Sequence, residues 1–423
     1  EARKDIIDLF EKLNIKSVMP GEQHTKLGGV ETFQDAQKCA DLFKNNRDKI
    51  SGILVILPNF GDEKGVADTI KLSGLQVPIL VQAYPDDLQQ MNVVRRRDAF
   101  CGKISVCNNL RQAGIPYSLT SKHVVSVNDA MFEHDLSKFV AVCRVVRGVK
   151  NARLGAIGAR PGAFNTVRYS EKILEAHGIS VTTVDLSEIL GKFAKLTDKA
   201  YANVENVPQE HLTKMARLGV VLMDFINENS LDATAVQCWT SMQNNFGINV
   251  CTNMSMMSED LLPSACEVDV TGVLTMYAMQ LASGQPSALA DWNNNYGQEE
   301  DKVVMFHCGN WARSFIPDVR ISTAPILGSI LGQEKTWGAL EGRTPAKPLT
   351  FGRVTTDDLQ GRIRAYIGEG QLTDDKLDTF GTRAVAHIPN LEGLMRHVCE
   401  NGFEHHVVMN ASKTADVLME AFE

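Results

Sequence analysis

Two apolar runs near the start of the chain constrain its fold more than any other feature. Gly52-Ile53-Leu54-Val55-Ile56-Leu57 and Val77-Pro78-Ile79-Leu80-Val81-Gln82-Ala83 are almost continuously hydrophobic, and a helical pattern lies between them. A strand with one wet face alternates apolar and polar residues, whereas a strand apolar throughout is buried on both faces. Such runs separated by helices predict a parallel sheet covered on both sides. Ile15-Lys16-Ser17-Val18-Met19 reads as an earlier apolar run, followed by a helix around 32–45 with Phe33, Ala36, Ala40 and Phe43 on one stripe. Ligands of such sheets sit beyond the strands' carboxyl ends, which marks Asn59 and Gln82 as facing any chemistry there.

A second alternating block starts near Ala152. Leu154-Gly155-Ala156-Ile157-Gly158 reads as a strand and Pro161-Gly162 as the start of a helix through Tyr169, Ile173 and Leu174, capped by Gly178. Ile179-Ser180-Val181-Thr182-Thr183-Val184 and Ala233-Thr234-Ala235-Val236-Gln237-Cys238-Trp239 are further strands. From about Val303 short β-prone runs appear between Gly, Pro and Asp clusters, pointing to an antiparallel barrel or sandwich. The chain has 423 residues, beyond the ~250–300 that one core serves. The expected fold is α/β, with two doubly wound parallel-sheet domains, 1–149 and 150–288, before a β-rich, antiparallel barrel-like domain at 289–423.

Composition narrows the function by exclusion. A net charge of -8 is a poor match to nucleic acid, which needs a basic footprint, and Arg95-Arg96-Arg97 reads as a solvated surface. No stretch of ~18 apolar residues is available to cross a bilayer. Nine cysteines, an odd number without a CxxC pair, read as free thiols in a reducing compartment, so a cytoplasmic location is expected. No leader is visible ahead of an amphipathic helix at 1–12, and the opening on Glu leaves room for earlier residues. Gly155, Gly158 and Gly162 follow a strand, but G-x-x-G-x-x-x-G is not the dinucleotide fingerprint. A turn offering Arg160 and backbone amides to a ligand is the better reading. Cys101 and Cys308 carry no mark of activation and read as core thiols.

The stretch 264–313 carries more chemistry. Cys266-Glu267-Val268-Asp269 precedes an apolar helix with Leu274, Tyr277, Ala278 and Leu281 on one stripe, and Ala290-Asp291-Trp292 follows a turn. By pattern alone Glu267 and Asp269 are helix-capping acids and Asp291 a turn residue. His307 ends an apolar strand, a common place for working side chains. In Phe403-Glu404-His405-His406-Val407-Val408-Met409, neighbouring residues point to opposite faces. His405 shares its face with Phe403, Val407 and Met409, a core-like set, which leaves His406 as the histidine to face a cavity.

These residues resemble the L-fucose isomerase/L-arabinose isomerase superfamily. The pieces are Gly158-Ala159-Arg160-Pro161 with Phe164, Gln237-Cys238-Trp239-Thr240, Cys266-Glu267-Val268-Asp269, Ala290-Asp291-Trp292, Phe306-His307-Cys308-Gly309-Asn310, Glu341-Gly342-Arg343, Gly368-Glu369-Gly370 and His405-His406, in order over about 250 residues. Asp291, where arabinose isomerases carry Glu, places the chain on the fucose-isomerase side. The resemblance implies Mn²⁺ or another divalent cation held by Glu267, Asp291 and His406, with Glu267 and Asp291 as catalytic acid and base. It also implies His307, Trp239, Arg160 and Gln237 as substrate-binding residues. The implied reaction interconverts an aldose and a ketose by proton transfer between C1 and C2 through an enediol, with a hydride shift as the other open route. Candidate substrates are L-fucose, D-arabinose or an acidic sugar such as sulfoquinovose, with Arg160 or Arg95-Arg96-Arg97 supplying a cation. A homo-oligomer, hexamer or trimer, is expected, with sites shared between subunits and Asp98 and Lys103 serving a neighbour's pocket. The alternative is a non-catalytic sugar-binding protein, which leaves the acid pair and the β-rich region without a purpose.

Overall fold

In the computed structural model, which describes residues 2–195 and 207–423, the two apolar runs become parallel strands. β1 (Ile53–Leu57) pairs with β2 (Ile79–Ala83), and β2 pairs with β3 (Ser118–Leu119). Alternation splits the side chains between two cores. Ile53, Val55, Leu57, Ile79, Val81 and Ala83 pack with Ala67, Ile70, Val106 and Leu110 from helices Glu63–Ser73 and Ala99–Gln112. Leu54, Ile56 and Leu80 face Ile6, Leu9, Phe132 and Phe139 from helices Ala2–Lys12 and Ala130–Val149. These elements belong to the first of two units, Glu1–Arg147 with Glu420–Glu423; the second is Gly148–Met419.

Local chemistry explains where the early elements begin and stop. Thr32 and Asp35 form a capping box on helix Phe33–Lys44. Ile15–Met19 is not a strand. Asn14 adopts a left-handed conformation, φ 53°, and the Ile15 N–H bonds back to Phe10 O at 2.8 Å, so the run is used to close the first helix. Asn59 and Gln82 are also occupied locally: Asn59 accepts the Gly61 N–H, and Gln82 donates to Val125 O at 2.6 Å. Lys103 is buried, donating to Thr120 Oγ1 and His123 O at 2.7 and 2.9 Å, and Asp98 pairs with Arg96 at 3.3 Å.

The second unit carries a parallel sheet of β4 (Arg153–Ile157), β5 (Ser180–Val184), β6 (Ala233–Val236) and β7 (Ser264–Ala265), ordered β5-β4-β6-β7. The helix expected from Pro161 starts later, at Glu171–Ala176, because Ser170 caps it by accepting the Ile173 N–H. Residues 161–168 are instead a loop carrying a short 3-10 turn at Asn165–Val167.

The rest of this unit is a barrel made of β8 (Ser287–Tyr296), β9 (Glu299–His307), β10 (Arg320–Thr323), β11 (Trp337–Arg343), β12 (Lys347–Asp357), β13 (Arg362–Thr373), β14 (Thr382–His387) and β15 (His406–Asn410). The order is β10-β11-β14-β13-β12-β15-β8-β9, and β9 returns to pair with β14. Six antiparallel strands thus close into a ring with β10 and β11 added outside it. Met305, Leu349, Phe351, Leu372, Ala386, Val407 and Met409 belong to its core. Helix Val270–Ser283 packs on β6 and on barrel strands β8, β12 and β15, so it is buried nearly all round rather than along one stripe. Among the described residues no helix is long and apolar enough to cross a membrane.

Candidate active site

Strand register brings the first pair together. His406 on β15 lies directly opposite Asp291 on β8, and Asp291 lies opposite Phe306 on β9, one residue before His307. Directly opposed residues share a face of the sheet. Asp291 is therefore a strand residue rather than a turn residue. His307 closes β9, its ring 5.7 Å from that of His406.

Glu267 reaches the same place from the other side. Between β7 and helix Val270–Ser283 the chain takes two left-handed steps, Glu267 at φ 61° and Val268 at φ 56°. This is sparsely populated for any residue with a Cβ and more so for a branched one. Each such position costs on the order of 1–3 kcal/mol and persists only where the surroundings impose it. The turn separates two acids that look alike in sequence. Asp269 is the helix cap, accepting the Gly272 N–H at 2.9 Å, whereas Glu267 caps nothing and points at His406.

Three side chains back this arrangement. Arg353 on β12, fully buried, makes a bidentate pair with Asp269 at 2.5 and 2.7 Å and a further ion pair with Glu404 at 3.2 Å. Asp269 Oδ2 then accepts from His406 Nδ1 at 2.8 Å. Burial works against the Asp269 charge, but Arg353 and His406 hold the carboxyl well below the usual carboxylate range. A carboxylate on Nδ1 fixes the proton there and leaves the Nε2 lone pair facing forward.

What Nε2 faces is a pair of acids. Glu267 Oε2 and Asp291 Oδ1 each lie 3.5 Å from it. Neither Glu267 Oε2 nor His406 Nε2 has a hydrogen-bond partner, although both atoms are buried. Ligand atoms of Asp291, His307 and His406 lie within 4.8 Å of one another, as do those of Glu267, His405 and His406. Two carboxylates and imidazoles converging on one spot, with orphaned buried lone pairs, are the donor set a divalent cation takes.

Electrostatics separate the members. Burial pushes the Glu267 carboxyl up to about 7, against the pull of His406 and His307. Burial also opposes a proton on His307, but Cys308, Asp291 and Glu267 hold its imidazole up to about 10. Burial and then the neighbouring His406 push His405 down to about 4.

The expected core role of His405 does not hold. Its side chain is 37% exposed, its Nε2 is 3.5 Å from Asp291 Oδ1, and its ring stacks on Phe164 at 6.0 Å. Phe164 in turn meets Trp239 edge-on at 5.4 Å, so Trp239 joins the site through an aromatic relay.

Gln237 and Arg160 are placed differently. Gln237 accepts the Ala159 N–H at 2.8 Å and donates to Trp239 O at 3.0 Å. Gly158, at φ 84°, lets it approach where a Cβ would sit 2.5 Å from Gln237 Oε1. The glycine turn thus spends its amide on Gln237 rather than on a ligand. Arg160 donates to Pro161 O at 3.1 Å, four residues before Phe164. Cys308 is no plain core thiol, since its Sγ is 3.4 Å from His307 Nδ1. The support from Asp269 and Arg353 escaped the sequence reading. The one available signal was an arginine alternating in register with Phe351 inside a β-prone run, which needs a buried partner.

Comparison with known proteins identifies the family. Residues 1–150 match the family model for the fucose/sulfoquinovose isomerase N-terminal domain, and residues 305–423 match that for the L-fucose isomerase C-terminal domain. The sulfoquinovose isomerase of Priestia aryabhattai is 24% identical over 405 residues, covering 92% of this chain and 87% of the relative. That of Alkalicoccus urumqiensis is 25% identical over 333 residues, 76% of this chain and 73% of the relative. The chain belongs to the fucose-isomerase-like superfamily. It is an aldose–ketose isomerase of that group.

Proposed function

We propose that this isomerase uses a divalent cation, Mn²⁺ by preference, held by Glu267, Asp291 and His406, and that its substrate is an acidic aldose of the sulfoquinovose kind. The observation carrying the metal reading is the convergence of Glu267 Oε2, Asp291 and His406 Nε2, with buried lone pairs of Glu267 and His406 left without partners. When bound, the cation would hold two neighbouring sugar oxygens and offset the negative charge that grows on them.

The chain's own groups do the rest. Glu267, whose carboxyl burial holds above the ordinary carboxylate range in the metal-free protein, is one of the two carboxylates that give and take the proton. Asp291, more open at 25% side-chain exposure, is the second carboxylate for the proton moved between C1 and C2 through an enediol. His307, whose imidazole Cys308, Asp291 and Glu267 hold above its ordinary range in the metal-free protein, donates a hydrogen bond to a sugar oxygen. Phe164, Trp239 and His405 form an aromatic wall along which a pyranose face can lie. Arg160, beside that wall in sequence, is the cation for an acidic tail. Nine free thiols suit a reducing, cytoplasmic setting. A homo-oligomer, trimer or hexamer, in which subunits complete each other's sites is part of the same reading.

The test is a panel of sulfoquinovose, L-fucose and D-arabinose, assayed with chelator-stripped protein before and after Mn²⁺ return. The expected result is Mn²⁺-dependent ketose formation, fastest on sulfoquinovose. Arg160→Ala should raise KM for sulfoquinovose by about 10–100-fold, the worth of a charged contact of about 1.5–3 kcal/mol, while leaving the neutral sugars unchanged. Equal turnover without metal would reject the metal reading. A preference for neutral sugars, untouched by Arg160→Ala, would reject the substrate.

A further inference from the structure

Behind the acid pair lies a second cluster that the isomerase reading does not use. Four of the nine cysteines, from four separate elements, meet in the second unit. Cys238 follows β6, Cys251 opens helix Cys251–Glu259, Cys266 follows β7, and Cys308 follows β9. The Cys266 and Cys308 sulfurs lie within 4.8 Å of each other, as do those of Cys238 and Cys266, and Cys251 adjoins Cys308. Cys238, Cys251 and Cys266 are buried, with Cys308 partly so. Buried cysteines often serve only as small apolar side chains. Here a polar imidazole sits among them, His307 Nδ1 being 3.4 Å from Cys308 Sγ.

The ligand atoms of Cys266, His307 and Cys308 lie within 4.8 Å of one another. In a tetrahedral zinc site, with Zn–S near 2.3 Å and Zn–N near 2.05 Å, a sulfur and a nitrogen stand roughly 3.6 Å apart. The observed pair is close to that spacing before any ion enters. We propose that Cys266, Cys308 and His307, with Cys251 beside Cys308 moving in as the fourth ligand, form a site for one soft cation of the zinc and cadmium class, next to the oxygen-rich site. Ligand softness sorts the two, carboxylate favouring Mn²⁺ and thiolate favouring Zn²⁺ or Cd²⁺. Each ligating thiol and the His307 imidazole give up a proton to solvent, so binding releases protons. One consequence rests on the proposed function. Because His307 serves both clusters, filling the thiol site withdraws an imidazole from the sugar pocket and slows turnover.

The test needs no turnover. Reduced, Mn²⁺-loaded protein with the two exposed thiols removed, Cys101→Ser and Cys399→Ser, is titrated with Cd²⁺ while ultraviolet thiolate-to-cadmium absorption is followed. The expected result is a band saturating at one equivalent, with proton release. Cys308→Ser should weaken Cd²⁺ binding by at least about tenfold, since one of four ligands is lost, and Cys143→Ser should leave it unchanged. Cys251→Ser gives the same comparison should Cys308→Ser fail to fold, as judged by circular dichroism. Absence of the band, or a band undiminished from wild type in both Cys308→Ser and Cys251→Ser, overturns the proposal. So does a protein that binds no Cd²⁺ when reduced but forms a Cys251–Cys308 disulfide in air. Mn²⁺-dependent turnover, measured separately, reports on the isomerase reading alone.

Discussion

His406 is gripped on one nitrogen and open on the other. Asp269 holds Nδ1 at 2.8 Å, and Nε2 faces Glu267 and Asp291 at 3.5 Å. Carboxylates behind a ligating histidine typically affect metal affinity by ~10–100-fold. Asp269→Asn should therefore weaken Mn²⁺ binding by about that factor, with activity recovering as Mn²⁺ is raised. Activity that stays low at saturating Mn²⁺ would mean that Asp269 acts on the chemistry itself. Glu267 supports a pH prediction for the metal-free protein. Its folded value is about 7 against an ordinary 4.5, so between those two the folded state keeps a proton that the unfolded state has released. Stability contributed at this site is thus fullest below about 4.5 and falls as pH climbs to about 7. Thermal melts of wild type and Glu267→Gln should differ in this window, the variant losing the downward slope; parallel profiles would contradict the burial argument. In sequence, Glu267 and Asp269 looked like equal capping acids. Only the two left-handed residues separate them, and a positive φ at Val268 has no signature in residue type.

At the scale of elements, β12 is the support the site depends on most. Arg353 is fully buried and ties Asp269 to Glu404, so it joins helix Val270–Ser283 to the entry of β15. Removing one partner of a buried ion network leaves uncompensated charge and costs about 3–5 kcal/mol. Arg353→Met should lower the unfolding free energy of the metal-free protein by that order in urea titrations. Replacing Arg353, Asp269 and Glu404 together by apolar residues should lose less stability than the single change. β12 was readable as a strand from its apolar run, and β8 was not. Its Ala290-Asp291-Trp292-Asn293 stretch looks like a turn because the pairing that makes it a strand comes from β15, more than a hundred residues away. The helix expected from Pro161 begins at Glu171 instead for a local reason: Ser170, a good capping residue, starts it where the earlier Pro-Gly does not.

For the molecule as a whole, the apolar runs at 53–57 and 79–83 announced a parallel sheet because burial on both faces leaves no room for polar alternation. The β texture after 303 likewise announced the barrel, though its ring closure through β9 and β14 depends on long-range pairing that no local pattern encodes. The site is assembled from β7, β8, β9 and β15 of the Gly148–Met419 unit, four segments that order in the sequence can align with a family but only the fold brings within ångströms. The account stands or falls on a cation at that meeting point. Its most direct test is a Mn²⁺ titration of chelator-stripped protein followed by electron paramagnetic resonance, in wild type, Glu267→Gln, Asp291→Asn and His406→Ala. One tightly bound Mn²⁺ per wild-type chain is the expected result, with tight binding lost in each variant while circular dichroism stays unchanged. Undiminished Mn²⁺ binding in all three folded variants would contradict it.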